Sequence, residues 1–192
     1  VPTGVAIQDA RNQLFDAAER VLLRDGPSGL TSRAVTTEAS FAKGVLHRHF
    51  TDFDAFLAEF ILDRAARSTP EVDRLLDQVG HHQVVDNLTT ALTALYASVA
   101  VAVVPLLAFR TALRDRLRDT WPAGVPVLTD AAVRVTAYLD AERAAGRLPD
   151  TLPADALGPA LIGSTHLLHA GSGATEAAVR RVVASVLPVN PV

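Results

Sequence analysis

Residues 39–50 read Ala-Ser-Phe-Ala-Lys-Gly-Val-Leu-His-Arg-His-Phe, and this stretch decides the fold. A tight turn at Ser40-Phe41 leads into a short helix expected over 42–49, closed by Phe50. Just upstream, Thr31 is a good N-cap for a second short helix over 32–38, which carries Val35 and Ala39 inward. Before that, Leu14, Phe15, Ala18, Val21 and Leu22 recur at three- and four-residue spacing, which predicts a longer helix over 8–24. Arg11, Glu19 and Arg20 supply its wet face, and Asp25-Gly26-Pro27-Ser28-Gly29 stops it. A longer helix followed by two short ones across a three- to four-residue turn is the pattern of a helix-turn-helix head.

The rest of the chain is long, apolar and helical in pattern. Of 192 residues, 49% are apolar and 20% charged, which describes a packed globular protein and not a disordered one. Aromatics are scarce, so the core must be built from Ala, Leu and Val. No sustained alternation argues for strands, and the expected class is all-α. Residues 1–52 are assigned to the helix-turn-helix domain and 53–192 to a larger ligand-binding and dimerisation body. Asp52 caps a helix over 53–68 with the stripe Phe56, Leu57, Phe60 and Ile61. Pro70 fits the first turn of a separate element over 71–79. Further helices are expected over 82–101, 104–120, 126–145, 154–169 and 175–187, with Gly146 as a C′ glycine.

Several function classes fall away on composition. The chain has no cysteine, which excludes disulfides and thiolate chemistry and fits a reducing cytoplasm. The net charge of −3 excludes a globally basic nucleic-acid binder, so any DNA surface must be local. Over residues 1–50 six cations stand against five anions, a weak positive bias. The start shows no basic region followed by an apolar core, so no signal peptide is expected there. Between Asp86 and Arg110 no residue is charged, but Thr89, Thr90, Thr93, Tyr96 and Ser98 and the interruption at Pro105 favour buried helices over a membrane span. No thiol, nucleophile elbow or phosphate-binding glycine pattern occurs, and Ser164-Thr165-His166 is adjacency rather than a triad. No catalytic residue and no cofactor is therefore expected. His166 and His169 lie on one helix and His81 and His82 are adjacent, but without a carboxylate at ligand spacing they predict packing rather than a metal.

The N-terminal sixty residues resemble the TetR family of one-component transcriptional regulators. The resemblance rests on Gly26, Thr31 and Val35, then Ala39, Phe41, Lys43, Gly44 and Leu46, closed by His49-Phe50. The remainder matches in pattern, with Gly-Arg-Leu-Pro at 146–149 before the last two helices. Departures are local. Ser40 stands where the family usually has Gly, and Ala42 where it usually has a Ser cap. Val45 and His47 stand at common Thr and Tyr positions, and Phe53 replaces a usual Lys.

The resemblance implies a cytoplasmic homodimer that binds a near-palindromic double-stranded DNA operator and is released by a small molecule. A DNA-binding fold that has lost DNA contact and keeps only a ligand or protein partner is the alternative. Candidate DNA contacts are Thr31, Arg33, Lys43, Gly44, Val45, His47 and Arg48: slim at Gly44 for close approach, polar or cationic where phosphates and base edges stand, and with Val45 placed for a thymine methyl. Polar and aromatic interruptions of apolar faces nominate Tyr96, Phe109, Arg110, Trp121, Tyr138 and His166 as ligand contacts, in a mainly apolar cavity suited to a hydrophobic or aromatic molecule. Two stripes, Leu157, Leu161, Ser164 and Leu168 on one helix and Val179, Val182, Val183 and Val186 on the next, serve either the chain's own core or a partner. The resemblance implies a two-fold four-helix interface there.

Overall fold

The computed structural model describes residues 4–108, 110–122, 125, 127–170 and 174–187. Among them every regular element is helical: α1 (Gly4–Gly29), α2 (Ser32–Glu38), α3 (Val45–His49), α4 (Phe53–Asp77), α5 (Val84–Ala97), α6 (Val99–Ala102), α7 (Val104–Ala108), α8 (Thr111–Leu117), α9 (Leu128–Ala144), α10 (Ala154–Ala170) and α11 (Glu176–Val186). None of these helices is long and apolar enough to cross a membrane. The chain divides into two compact units, Val1–Ala65 with Ala102–Ala123, and Ala66–Val101 with Gly124–Val192. Residues 102–123 thus pack with the helix-turn-helix helices, from which about forty residues of chain separate them.

Local chemistry explains most helix ends. Thr31 Oγ1 accepts the Ala34 amide at 3.1 Å and Asp52 Oδ1 the Ala55 amide at 2.7 Å, as their cap positions predict. At the end of α9 the Gly146 amide donates to Arg143 and the Arg147 amide to Glu142, with Gly146 at φ 73°. That is a Schellman closure, and glycine takes the left-handed position without a Cβ penalty. α1 bends at Gly26, φ 72°, where the sequence predicts its stop.

Several expected boundaries differ. α4 runs through Phe53–Asp77 without a break before Pro70, because its buried stripe stays in phase: Ala65 and Val72 lie seven residues apart and are both buried, as are Ile61 and Leu75. The helix expected over 82–101 divides at Ser98, whose backbone is extended (ψ 149°) and whose hydroxyl bonds the Leu95 carbonyl, a side-chain competitor to the helical ladder. The helix expected over 104–120 is two short ones, α7 and α8.

In the first unit Leu14, Phe15, Ala18, Val21 and Leu22 are all buried, as their spacing predicts. Phe15 sits among Phe50, Phe56 and Phe60, with ring centroids 5.6–6.1 Å away. Arg64 is almost fully buried yet ion-paired with Asp16 and Glu19 at 2.6 Å and Asp63 at 2.7 Å, so its charge ties α4 to α1. In the second unit α10 packs closely on α9 at Gly158. A Cβ there would lie 2.8 Å from the Ala132 carbonyl oxygen and 2.1 Å from Thr136 Oγ1. The small residue does permit helix approach, as its size predicts, and the neighbour is a helix of the same chain.

Candidate nucleic-acid interface

The head presents α3 on a frame of α1, α2 and the start of α4. The α2–α3 turn is a second Schellman closure: Ser40 donates to the Thr37 carbonyl and Phe41 to the Thr36 carbonyl. Ser40 occupies the left-handed position at φ 58°. The turn demands a conformation that glycine adopts freely and serine does not, which explains the cost of this departure from the family pattern. Ser40→Gly is expected to stabilise the protein by about 1 kcal/mol. Urea titration checks it, and an unchanged or lower midpoint would refute the strain.

α3 itself begins later than its expected start at residue 42. Its N-cap is Gly44, which has no side chain to cap with, while the Ala42 carbonyl accepts the Val45 amide at 2.9 Å. The helix is therefore held mainly by its flanks. Leu46 and Phe50 are buried, and Arg11 reaches 38 residues along the chain to donate to the His49 carbonyl at 3.0 Å. Its guanidinium also lies 4.4 Å from the Phe50 ring and pairs with Glu59. A cation at the open carbonyl end of a helix is favourable, so Arg11 fixes the posture of α3. The sequence placed Arg11 on the wet face of α1, and no local signal marks this role.

The candidate DNA contacts share one property. Thr31, Arg33, Lys43, Gly44, His47 and Arg48 are exposed, and Val45 is half-buried. Arg33, Lys43, His47 and Arg48 make no hydrogen bond or ion pair within the described residues. A Cβ built on Gly44 meets nothing within 4 Å, so the start of α3 is open to close approach. Thr31, Arg33, Ala34 and Thr37, with Arg24 and Glu38, line a surface groove of about 500 Å³. By contrast Arg20 and Arg24 are engaged: both pair with Glu38, at 2.8 and 2.9 Å, and hold its carboxyl below the ordinary range, Arg20 chiefly. Replacing Thr31 by Ala is expected to cost about 1 kcal/mol through loss of its cap. Thermal melting checks this, and a melting point equal to the wild type would remove the cap assignment.

The ligand candidates do not form one cluster. Arg110 and Trp121 belong to the first unit, and Tyr96, Tyr138 and His166 to the second. Phe109 lies outside the described residues. Arg110 donates to Asp54 at 2.9 Å. Tyr138 is fully buried; its hydroxyl accepts from Asn87 at 2.9 Å and bonds the Glu142 carboxylate. Tyr96 donates to the Ile162 carbonyl, stacks on His169 at 4.7 Å and lies 6.0 Å from His166. Burial holds both tyrosine hydroxyls above the ordinary phenol range. A groove of about 470 Å³ in this unit is instead lined by Arg74, Leu75, Gln78, His82, Asp86, Asn87, Thr90 and Ala91. Of the two stripes, Leu161, Val179 and Val183 are fully buried within the protomer, while Leu157, Ser164, Leu168, Val182 and Val186 are half-buried. Leu167, outside the stripes, is 75% exposed.

A helix-turn-helix head with an open recognition helix, carried by an all-helical chain, is an architecture suited to reading DNA. Residues 14–60 match the sequence model of the bacterial regulatory proteins, tetR family. The HTH-type nicotine-responsive transcriptional repressor HdnoR of Paenarthrobacter nicotinovorans is 35% identical over 71 residues, which cover 35% of this chain and 37% of that protein. The match thus spans little more than a third of that relative's length. A TetR-family transcriptional regulator from Agrobacterium tumefaciens has the same fold, with a TM-score of 0.73 at 14% identity over 95% of this chain and 100% of the other. The multidrug binding protein EbrR, solved with imidazole, gives 0.58 at 23% identity over 94% and 96%. Residues 14–60 thus match the tetR-family model, and the chain as a whole shares the fold of these solved structures.

Proposed function

We propose that the chain is a cytoplasmic repressor that binds a near-palindromic operator as a homodimer and is released by a small, mainly apolar molecule. The observation that carries this reading is the set of unpaired, exposed Arg33, Lys43, His47 and Arg48 around the open face at Gly44. Elsewhere in the head Arg11, Arg20, Arg24 and Arg64 are held by carboxylates. Cations left free of internal partners are available to phosphates, which dominate protein–DNA affinity. The repressor name of HdnoR favours the same direction, and the multidrug-binding name of EbrR favours a small-molecule ligand.

Dimerisation is proposed through α10 and α11. The buried members of the stripes serve the protomer's own core, which leaves Leu157, Ser164, Leu167, Leu168, Val182 and Val186 for a partner. Of the ligand candidates, Tyr96 and His166, 6.0 Å apart in the second unit, remain the proposed contacts. Release would be a population shift: ligand favours a head spacing unlike the roughly 34–36 Å between successive major grooves.

A gel shift with the region upstream of the chain's own gene tests the reading. Wild type is expected to retard this DNA at low salt and to lose it as salt rises. Lys43→Ala with Arg48→Ala is expected to weaken binding at least tenfold. Absence of salt-sensitive retardation would instead favour a fold retained for a ligand or protein partner alone.

A further inference from the structure

Among the described residues of the second unit, three buried side-chain atoms have no hydrogen-bond partner: Thr93 Oγ1 on α5, and Thr165 Oγ1 and His166 Nδ1 on α10. Each atom is covered by protein, and Thr165 as a whole is fully buried. α5 and α10 pack on each other, and Tyr96 marks where. Its hydroxyl donates to the Ile162 carbonyl, and its ring lies 6.0 Å from the His166 ring and 4.7 Å from that of His169. Thr93 stands one turn before Tyr96 on the same face of α5. Thr165 stands one turn after Ile162 on α10, next to His166. The three orphaned atoms thus belong to one seam.

A threonine inside a helix has a partner within reach, the carbonyl four residues back. Thr36 uses it, at 3.0 Å to Ser32, and so does Thr89, at 2.7 Å to Val85. Thr93 and Thr165 do not, although both stand in helix interiors. A covered polar atom without a partner costs stability. Three of them in one seam weight the equilibrium towards an arrangement that parts α5 from α10 and supplies partners. The walls define what could enter. Residues 87–97 and 156–170 contain no Asp, Glu, Lys or Arg, and Asp86 at the start of α5 is already paired with Arg180 at 2.6 Å. Leu92, Leu95, Leu161 and Ile162, beside the orphaned groups in sequence, are buried. An ionised guest would have its charge stranded there, whereas two hydroxyls and an imidazole nitrogen can each donate or accept.

We propose that the α5–α10 seam is a closed ligand site, which parts to admit an uncharged, largely apolar molecule and holds its hydrogen-bonding group on Thr93, Thr165 and His166. The proposal rests on the small-molecule reading above. It adds to that reading the place where a polar group is met, the neutrality of the ligand and the opening that binding requires.

The test is an NMR titration of the full chain with three compounds of one shape. Benzamide is neutral and both donates and accepts, benzoate is charged, and isopropylbenzene can do neither. Benzamide is expected to shift the backbone amides of α5 and α10 and to bind about tenfold more tightly than either of the others. Thr93→Val and Thr165→Val keep the side-chain shape and delete the orphaned hydroxyl. Each should weaken benzamide about fivefold, yet slow hydrogen exchange of the α5 and α10 amides in the free protein about tenfold. The variants are thus shut more tightly and bind less well. A hydroxyl already satisfied in the closed protein would give the reverse, faster exchange on its loss, and that result overturns the proposal. Benzamide affinity unchanged in both variants, or binding of isopropylbenzene alone, overturns the site and leaves the small-molecule reading standing. If none of the three compounds binds, both fall.

Discussion

Phe56→Ala lowers the stability of the helix-turn-helix unit by about 3–5 kcal/mol, the range for truncating a buried aromatic. Phe56 is fully buried at the centre of the aromatic cluster. Its ring lies edge-on to Phe50 at 5.0 Å and contacts Phe15 and Phe53 at 5.6 Å and Phe60 at 6.3 Å. The substitution removes the transfer free energy of a whole ring. It also leaves a cavity whose walls come from α1, α4 and Phe50 at the end of α3, none of which can collapse alone. Aromatic pair geometry adds a further share, roughly 0.5–1.5 kcal/mol per good pair. Native domains are stable by only about 5–15 kcal/mol, so the variant head should be largely unfolded near body temperature and unable to hold α3. Trp121, the chain's one tryptophan, lies in this unit and reports its unfolding in urea. A midpoint shift worth less than about 1 kcal/mol would show that the cluster is not the head's keystone.

Arg147→Ala produces the second large loss, about 3–5 kcal/mol in the other unit, because it strands a buried charge. Glu142 is fully buried, and Arg147 donates to it at 3.1–3.2 Å. Arg147 also donates to the carbonyls of His81 and His82, which joins the α4–α5 turn to the end of α9. The remaining partners of Glu142 are the Tyr138 hydroxyl and the Gly80 amide, the latter at a long 3.3–3.4 Å. They do not replace a guanidinium. The discriminating measurement is a double-mutant cycle. Glu142→Gln combined with Arg147→Ala removes the charge along with its partner and should recover part of the loss. If the double variant is as unstable as the sum of the singles, the pair is uncoupled and this account is wrong.

These two sites show how unevenly the sequence carries the structure. The Phe56 stripe, the Thr31 and Asp52 caps and the Gly146 closure are encoded within a few residues. Period, capping and left-handed glycine are local preferences and can be read in a single pass. The exposure of Lys43, Gly44, His47 and Arg48 was legible too, because a recognition helix that packs through Leu46 and Phe50 must face its other side outward. Ligand contacts were the least legible. A tyrosine on an apolar face reads the same whether it lines a pocket or, like Tyr138, spends its hydroxyl on a buried amide and carboxylate.

Taken alone, the sequence determined an all-α chain, the helix-turn-helix at 31–50 and the short helix that presents its contacts. It also determined that Ser40 occupies a turn made for glycine. Only the tertiary structure decided which charges are free. Arg11, Arg64 and Arg116 look alike as isolated cations, yet they find acceptors 38, 48 and 64 residues away, at His49, Asp16 and Asp52. The physical reason is that capping and amphipathic period act over one or two helical turns. An ion pair between distant segments forms only where packing has already brought its two ends together.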